Sequence, residues 1–154
     1  MKARDIMVTD VPAIGSDTTV GEAVQILRKN FGDESYLNAA PGLIVVNEKG
    51  ELAGILSPLS IIRALLESAQ QPGTTAETTA DYYEALCSGI KDRPVRDVID
   101  WQPISVTEDA LLLDVADLFV KNRFQRIPVV RNKRVVGIIY RSRLLFAIAG
   151  CMLK

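Results

Sequence analysis

Ile127-Pro128-Val129-Val130, the polar turn Arg131-Asn132-Lys133-Arg134, and Val135-Val136-Gly137-Ile138-Ile139 read as a β-hairpin. Two β-branched runs flank a short turn, which is the pattern a hairpin requires. The chain does this twice. Leu43-Ile44-Val45-Val46, the turn Asn47-Glu48-Lys49-Gly50 and the run Leu52 to Leu56 stand earlier, with Ile127–Val130 lying 84 positions after Leu43–Val46. Gly54-Ile55-Leu56 likewise matches Gly137-Ile138-Ile139. Further from the hairpins, Arg4-Asp5-Ile6-Met7 returns as Arg96-Asp97-Val98-Ile99, 92 positions on, and Pro12-Ala13-Ile14 returns as Pro103-Ile104-Ser105. Val20 to Leu27 aligns with Leu112 to Phe119, and Lys29-Asn30 with Lys121-Asn122. The offset falls from 92 to 84, so the first copy holds about eight additional residues around Gly32–Asn38. Each match is short, but their preserved order points to an internal duplication.

Each copy reads as β-α-β-β-α. Val20, Ala23, Val24, Leu27 and Phe31 form one helical stripe behind Ser16 or Asp17 as a cap. Leu112, Val115, Ala116 and Phe119 repeat it after Thr107. Ser57 before Pro58 is a helix start, and Ile61, Ile62, Leu65 and Leu66 are read as that helix's inward face. Leu144, Leu145 and Ile148 take the same role in the second copy, with Gly150 as a stop. Gln70 to Thr75 is a polar linker, Thr78 to Ile90 is helical in pattern, and Pro94 opens a short turn.

The 154 residues suffice for one ordinary domain, and 48% apolar with 24% charged residues is an average globular composition. There is no histidine, so a His-bound zinc and any Ser-His-Asp or Cys-His catalyst are excluded. The two cysteines, Cys87 and Cys151, are expected to be buried or semi-buried apolar fillers with reduced thiols. No apolar leader follows Met1, and the run Leu144–Leu153 is too short to span a bilayer. A cytoplasmic protein with no membrane partner is therefore expected. The net charge of −1 hides an asymmetry: residues 1–90 hold 6 Lys and Arg against 12 Asp and Glu, residues 91–154 hold 12 against 7. Such halves attract one another within a globule or between subunits, and the basic half also suits an anion. A sequence pI of about 5.5 and the lack of a recognised motif argue against nucleic acid as a partner.

A β-α-β-β-α unit of this size present twice resembles the CBS domain pair, or Bateman module. The resemblance rests on Arg4-Asp5-Ile6-Met7 and its echo, on Arg126-Ile127-Pro128-Val129-Val130, and on Val136-Gly137-Ile138-Ile139-Tyr140, and it covers roughly residues 2–68 and 94–150. It implies an α+β fold of tandem CBS repeats packed sheet against sheet with pseudo-twofold symmetry. The expected boundaries are 1–68 for the first repeat, 69–93 for a linker with a helix, and 94–154 for the second repeat. It also implies a stand-alone, non-catalytic regulatory module, a homodimer of disc-like form, and a regulated enzyme or transporter as partner. No cofactor is required. The implied regulatory ligands are AMP, ADP, ATP or S-adenosylmethionine, held in the cleft between the repeats. The alternative is a structural or partner-docking dimer with no small ligand.

The family's ligand signature, Gly-x-x-Thr/Ser-x-x-Asp, places a hydroxyl against phosphate and a carboxylate against the ribose. The first copy reads Gly54-Ile55-Leu56-Ser57-Pro58-Leu59-Ser60 and the second Gly137-Ile138-Ile139-Tyr140-Arg141-Ser142-Arg143. Neither has the Asp. Ser57 and Ser60 offer hydroxyls, while Tyr140, Arg141 and Arg143 stand at the second junction, with Arg123, Arg126, Pro128 and Val129 on its other side. Seven cations fall within residues 123–143, which suits phosphate. The expected ligand is a small anion of the adenine-nucleotide type at this second junction, bound through phosphate more than ribose.

Overall fold

The computed structural model describes residues 1–31, 42–69, 79–99 and 103–154. The additional segment of the first copy and the polar linker lie outside the described residues. The first copy contains α1 (Ala3–Ile6), β1 (Ala13–Gly15), α2 (Val20–Phe31), β2 (Leu43–Val46), β3 (Leu52–Leu56) and α3 (Pro58–Ser68). Helix α4 (Ala80–Ile90) follows. The second copy has a 3-10 turn (Val95–Asp97), β4 (Val106–Thr107), α5 (Leu112–Asn122), β5 (Arg126–Arg131), β6 (Arg134–Tyr140) and α6 (Arg141–Ala149). A last 3-10 turn covers Gly150–Leu153. The α+β fold of two equivalent units is thus present.

The two three-stranded sheets match one for one. β1 runs parallel to β2 and β2 antiparallel to β3; β4, β5 and β6 repeat this order. Even the irregularity recurs, between Val45 and Val46 in one hairpin and between Val129 and Val130 in the other. Each sheet turns alternate residues to its helices, so Leu43, Val45 and Leu56 enter the first core and Ile127, Val129 and Ile139 the second. Ile44, Pro128 and Ile138, on the opposite faces, are fully buried as well. The sheets meet there, and Leu52 N–H donates to Lys133 C=O across the junction at 3.0 Å.

The leading turns change places. Val95, Val98 and Ile99 belong to the core of β1–β3, whereas Ala3 and Ile6 belong to the core of β4–β6. The exchange is reciprocal to the hydrogen bond. Ala3 N–H donates to Ala110 C=O and Val95 N–H to Thr18 C=O, each at 2.8 Å; Arg4 N–H donates to Glu108 C=O at 3.1 Å and Arg96 N–H to Ser16 C=O at 3.2 Å. Arg4 pairs with Asp109, and Arg96 with Asp17. Every partner in one set stands 92 positions from its counterpart in the other. The ion pairs are exposed and contribute at most about 1 kcal/mol each. The buried Val and Ile side chains, worth roughly 1.5–3 kcal/mol apiece, hold the turns in place.

Several expectations about faces need correction. In α2, Val20, Ala23 and Leu27 are buried, but Val24 is exposed and Ile26 packs instead. The cap is Thr19, which directly precedes Val20 and whose Oγ1 accepts from Glu22 N–H at 3.2 Å, while Asp17 pairs with Arg96. In α3 only Ile61 and Ala64 of the apolar residues are buried; Leu65 packs partly, and Ile62 and Leu66 face outward. In α6 Leu144 is buried while Leu145 and Ile148 are exposed. A short sheet covers only one row of each helix, so a broad apolar stripe overruns it. Cys87 and Cys151 are both exposed rather than buried, one on the outer side of α4 and one in the last turn. Helix α6 does end at Ala149 with Gly150 as its C-cap, in a right-handed conformation that leads into that turn.

Candidate site at the hairpin-to-helix junctions

Each hairpin hands the chain to a helix, and the two junctions differ in chemistry. At the first, Ser57 caps α3. Its Oγ accepts from Ser60 N–H at 3.2 Å, Ser57 N–H donates to Ser60 Oγ at 3.3 Å, and the two hydroxyls lie 3.1 Å apart. Ser60 is only 2% exposed. The pair forms a reciprocal cap that satisfies helix-end donors, so both hydroxyls have local partners.

Beside this cap lies a cavity of about 210 Å³ between α3 and the exchanged turn. Ser60, Arg63 and Glu67 line it from α3, and Arg93, Asp97 and Val98 from the other side. Arg93 Nε stands 3.8 Å from Asp97 Oδ2, a loose and partly exposed ion pair. The cavity therefore presents two guanidinium groups and two carboxylates. Arg63, Glu67, Arg93 and Asp97 are absent from the sequence-based site. Their signal is topological: they meet only because the turn before Val98 docks on the other copy's helix.

At the second junction three of the arginines, Arg126, Arg131 and Arg143, are engaged by the protein. Arg143, at the position of the signature carboxylate, donates from Nε to Ile6 C=O at 2.9 Å. Arg141 is exposed, and its N–H reaches Gln125 C=O at 3.4 Å. Arg123 is exposed and ends α5 in a left-handed conformation. Arg131 forms a two-bond pair with Glu108, at 2.6 and 2.9 Å; that hydrogen bond holds the Glu108 carboxyl below its ordinary value. Val129 points into the second core and Pro128 is fully buried, so neither side chain presents a surface at the junction. Gly137 is required there, because a Cβ on it would lie 2.7 Å from the Met7 sulfur.

Arg126 and Tyr140, paired across β5 and β6, form a unit. The Arg126 guanidinium sits 5.9 Å from the Tyr140 ring centroid, at the outer limit of a cation–π contact. Arg126 is 6% exposed, and burial lowers its pKa. Burial also raises that of Tyr140, with Arg126 opposing the shift and Asp10 adding to it. A Cβ on Gly42 would collide with the Arg126 guanidinium. Gly42 and Arg126 are equivalent positions, 84 apart, so the long side chain of one copy fills the notch left by the glycine of the other. Arg126, expected to close one side of an anion site at this junction, is buried and packed between the copies. Gly42→Ala should destabilise the protein by about 1–3 kcal/mol in urea unfolding, as overpacking does. Arg126→Ala should relieve most of that penalty, giving a coupling above about 1 kcal/mol in a double-mutant cycle. Additive effects would contradict the packing.

Among the described residues no group of side chains is arranged for a metal ion, and no helix is long and apolar enough to cross a membrane. The CBS domain family profile matches residues 3–67 and 95–150. An uncharacterized protein of Methanocaldococcus jannaschii is 28% identical over 163 residues, spanning 96% of this chain and 91% of that protein. The fold also matches the crystal structure of CBSX2 in complex with AMP, with TM-score 0.71, 21% identity and 98% of each chain covered. The CBS domain pair of protein MJ0100, in complex with methylthioadenosine and S-adenosyl-L-methionine, matches with TM-score 0.68 and 22% identity over 98% of each chain. The two matched segments are the two units that exchange their leading turns, and the chain belongs to the CBS domain family as a tandem pair.

Proposed function

We propose that this CBS pair is a non-catalytic regulatory module that senses a small anionic ligand of the adenine-nucleotide class in the cleft between its repeats. The observation that carries this reading is the cavity beside Ser60, which joins two arginines and two carboxylates at the first copy's hairpin-to-helix junction. Guanidinium groups match phosphate oxygens, and carboxylates match sugar hydroxyls. A volume of about 210 Å³ is smaller than a typical whole-ligand pocket. It accommodates a ribose-phosphate portion, with the base extending beyond it. The AMP of CBSX2 and the S-adenosyl-L-methionine of MJ0100 support this ligand class. The centre of binding moves to the first junction, because Arg126, Arg131 and Arg143 at the second are engaged by the protein itself.

The module acts as a homodimer in this reading. Leu59, Ile62 and Leu66 on α3, and Leu145, Phe146 and Ile148 on α6, are at least 40% exposed. Large apolar side chains concentrated on two equivalent helices favour a self-complementary contact. Light scattering should give twice the 16.9 kDa chain mass; a monomer at micromolar concentration removes the dimer.

Isothermal titration with AMP, ATP and S-adenosylmethionine tests the ligand reading. Binding should weaken as salt rises and persist in the double variant Arg141→Ala, Arg143→Ala. Loss of binding in that variant, with folding intact, places the anion at the second junction instead. No heat from any of the three ligands favours the structural, partner-docking alternative.

A further inference from the structure

The two exchanged turns are equivalent in backbone but not in how their acidic residue is used. In α1, Asp5 reaches back and accepts the Lys2 N–H at 2.8 Å. Its counterpart, 92 positions later, is Asp97, and the counterpart of Lys2 is Pro94. Proline has no N–H to give. The turn still closes through its backbone, with Asp97 N–H donating to Pro94 C=O at 3.1 Å. The Asp97 carboxylate is therefore released from the capping role that occupies Asp5. It lies on the wall of the cavity facing α3, about half exposed, with Arg93 at 3.8 Å. Across the same cavity stands Ser60, at the position where a carboxylate is missing, its hydroxyl bound to Ser57.

We propose that Asp97 is the sugar-recognition residue of this site: its carboxylate accepts hydrogen bonds from the vicinal hydroxyls of a ribose, in place of the carboxylate absent at Ser60. The inference rests on the nucleotide reading above. It follows that an acceptor from the exchanged turn, and thus from the second copy's sequence, completes a pocket whose helix comes from the first. Arg63 and Arg93 line the same cavity and bring guanidinium groups, which match phosphate oxygens, to the same pocket. An ionised acceptor gives a stronger hydrogen bond than a hydroxyl would, so the pocket discriminates ribose from deoxyribose although Ser60 cannot.

Titration of the full chain with AMP and with 2′-deoxy-AMP, in wild type and in Asp97→Asn, tests this. The wild type should prefer AMP by about tenfold or more, the effect of one charged hydrogen bond. Asp97→Asn, nearly identical in shape, should bind both with similar affinity and melt close to wild type. Asp5→Asn serves as the mirror control: it should lower the melting temperature through its lost cap and retain the preference for AMP. An unchanged preference in Asp97→Asn, with AMP still bound, overturns the role of Asp97 and leaves the nucleotide reading intact. Absence of AMP binding by wild type overturns both. Wild type binding the two nucleotides equally also overturns the inference.

Discussion

Ala3 N–H on Ala110 C=O, and Val95 N–H on Thr18 C=O, pin each copy's first turn to the other copy. The apolar residues behind these bonds seal cores that would otherwise be open. Without Val95, Val98 and Ile99 the first core loses three buried side chains; without Ala3 and Ile6 the second loses two. Removing such contacts exposes apolar surface and leaves voids whose penalties add. The chain therefore consists of two repeats in sequence but of two interlocked units in space. The cavity is a product of that interlock, since α3 and the turn bearing Asp97 come together only through the exchange.

Duplication makes the two halves alike, and a few substitutions at equivalent positions make them different. Gly42 against Arg126 lets a long side chain cross where two similar ones would collide. Pro94 against Lys2 removes one N–H and with it the partner of a carboxylate. Ser60 against Arg143 leaves a capped helix and a cavity on one side, and an arginine tied to Ile6 C=O on the other. Each change is local, yet together they assign a pocket to one junction and a packed contact to the other.

Much of this architecture was legible in the sequence. The hairpins Leu43–Leu56 and Ile127–Ile139, the amphipathic helices and the short turn after Pro94 follow from residue patterns, because each depends on neighbours close in the chain. The exchange was not legible. The 92-residue offset says which segments are alike, but nothing in it says whose core each one enters. Burial on α3 and α6 was overstated for the same reason: Ile62, Leu66, Leu145 and Ile148 fit a helical stripe, and only the width of the sheet decides which row is covered. Counting cations drew attention to the second junction, whereas packing places Arg126 against Gly42 and pairs Arg131 with Glu108. The loss of an N–H at Pro94 was readable in the sequence, but its consequence for Asp97 required the turn's partner across the cavity.

The interlock is tested most directly by urea unfolding followed residue by residue by NMR, in wild type and in Val95→Ala. Val95 belongs by sequence to the second copy and by packing to the first core. The account predicts one midpoint for amide signals of β2–β3 and β5–β6 in wild type, and an equal downward shift of both in Val95→Ala. Separate midpoints for the two hairpins, or a shift confined to β5–β6, would contradict it.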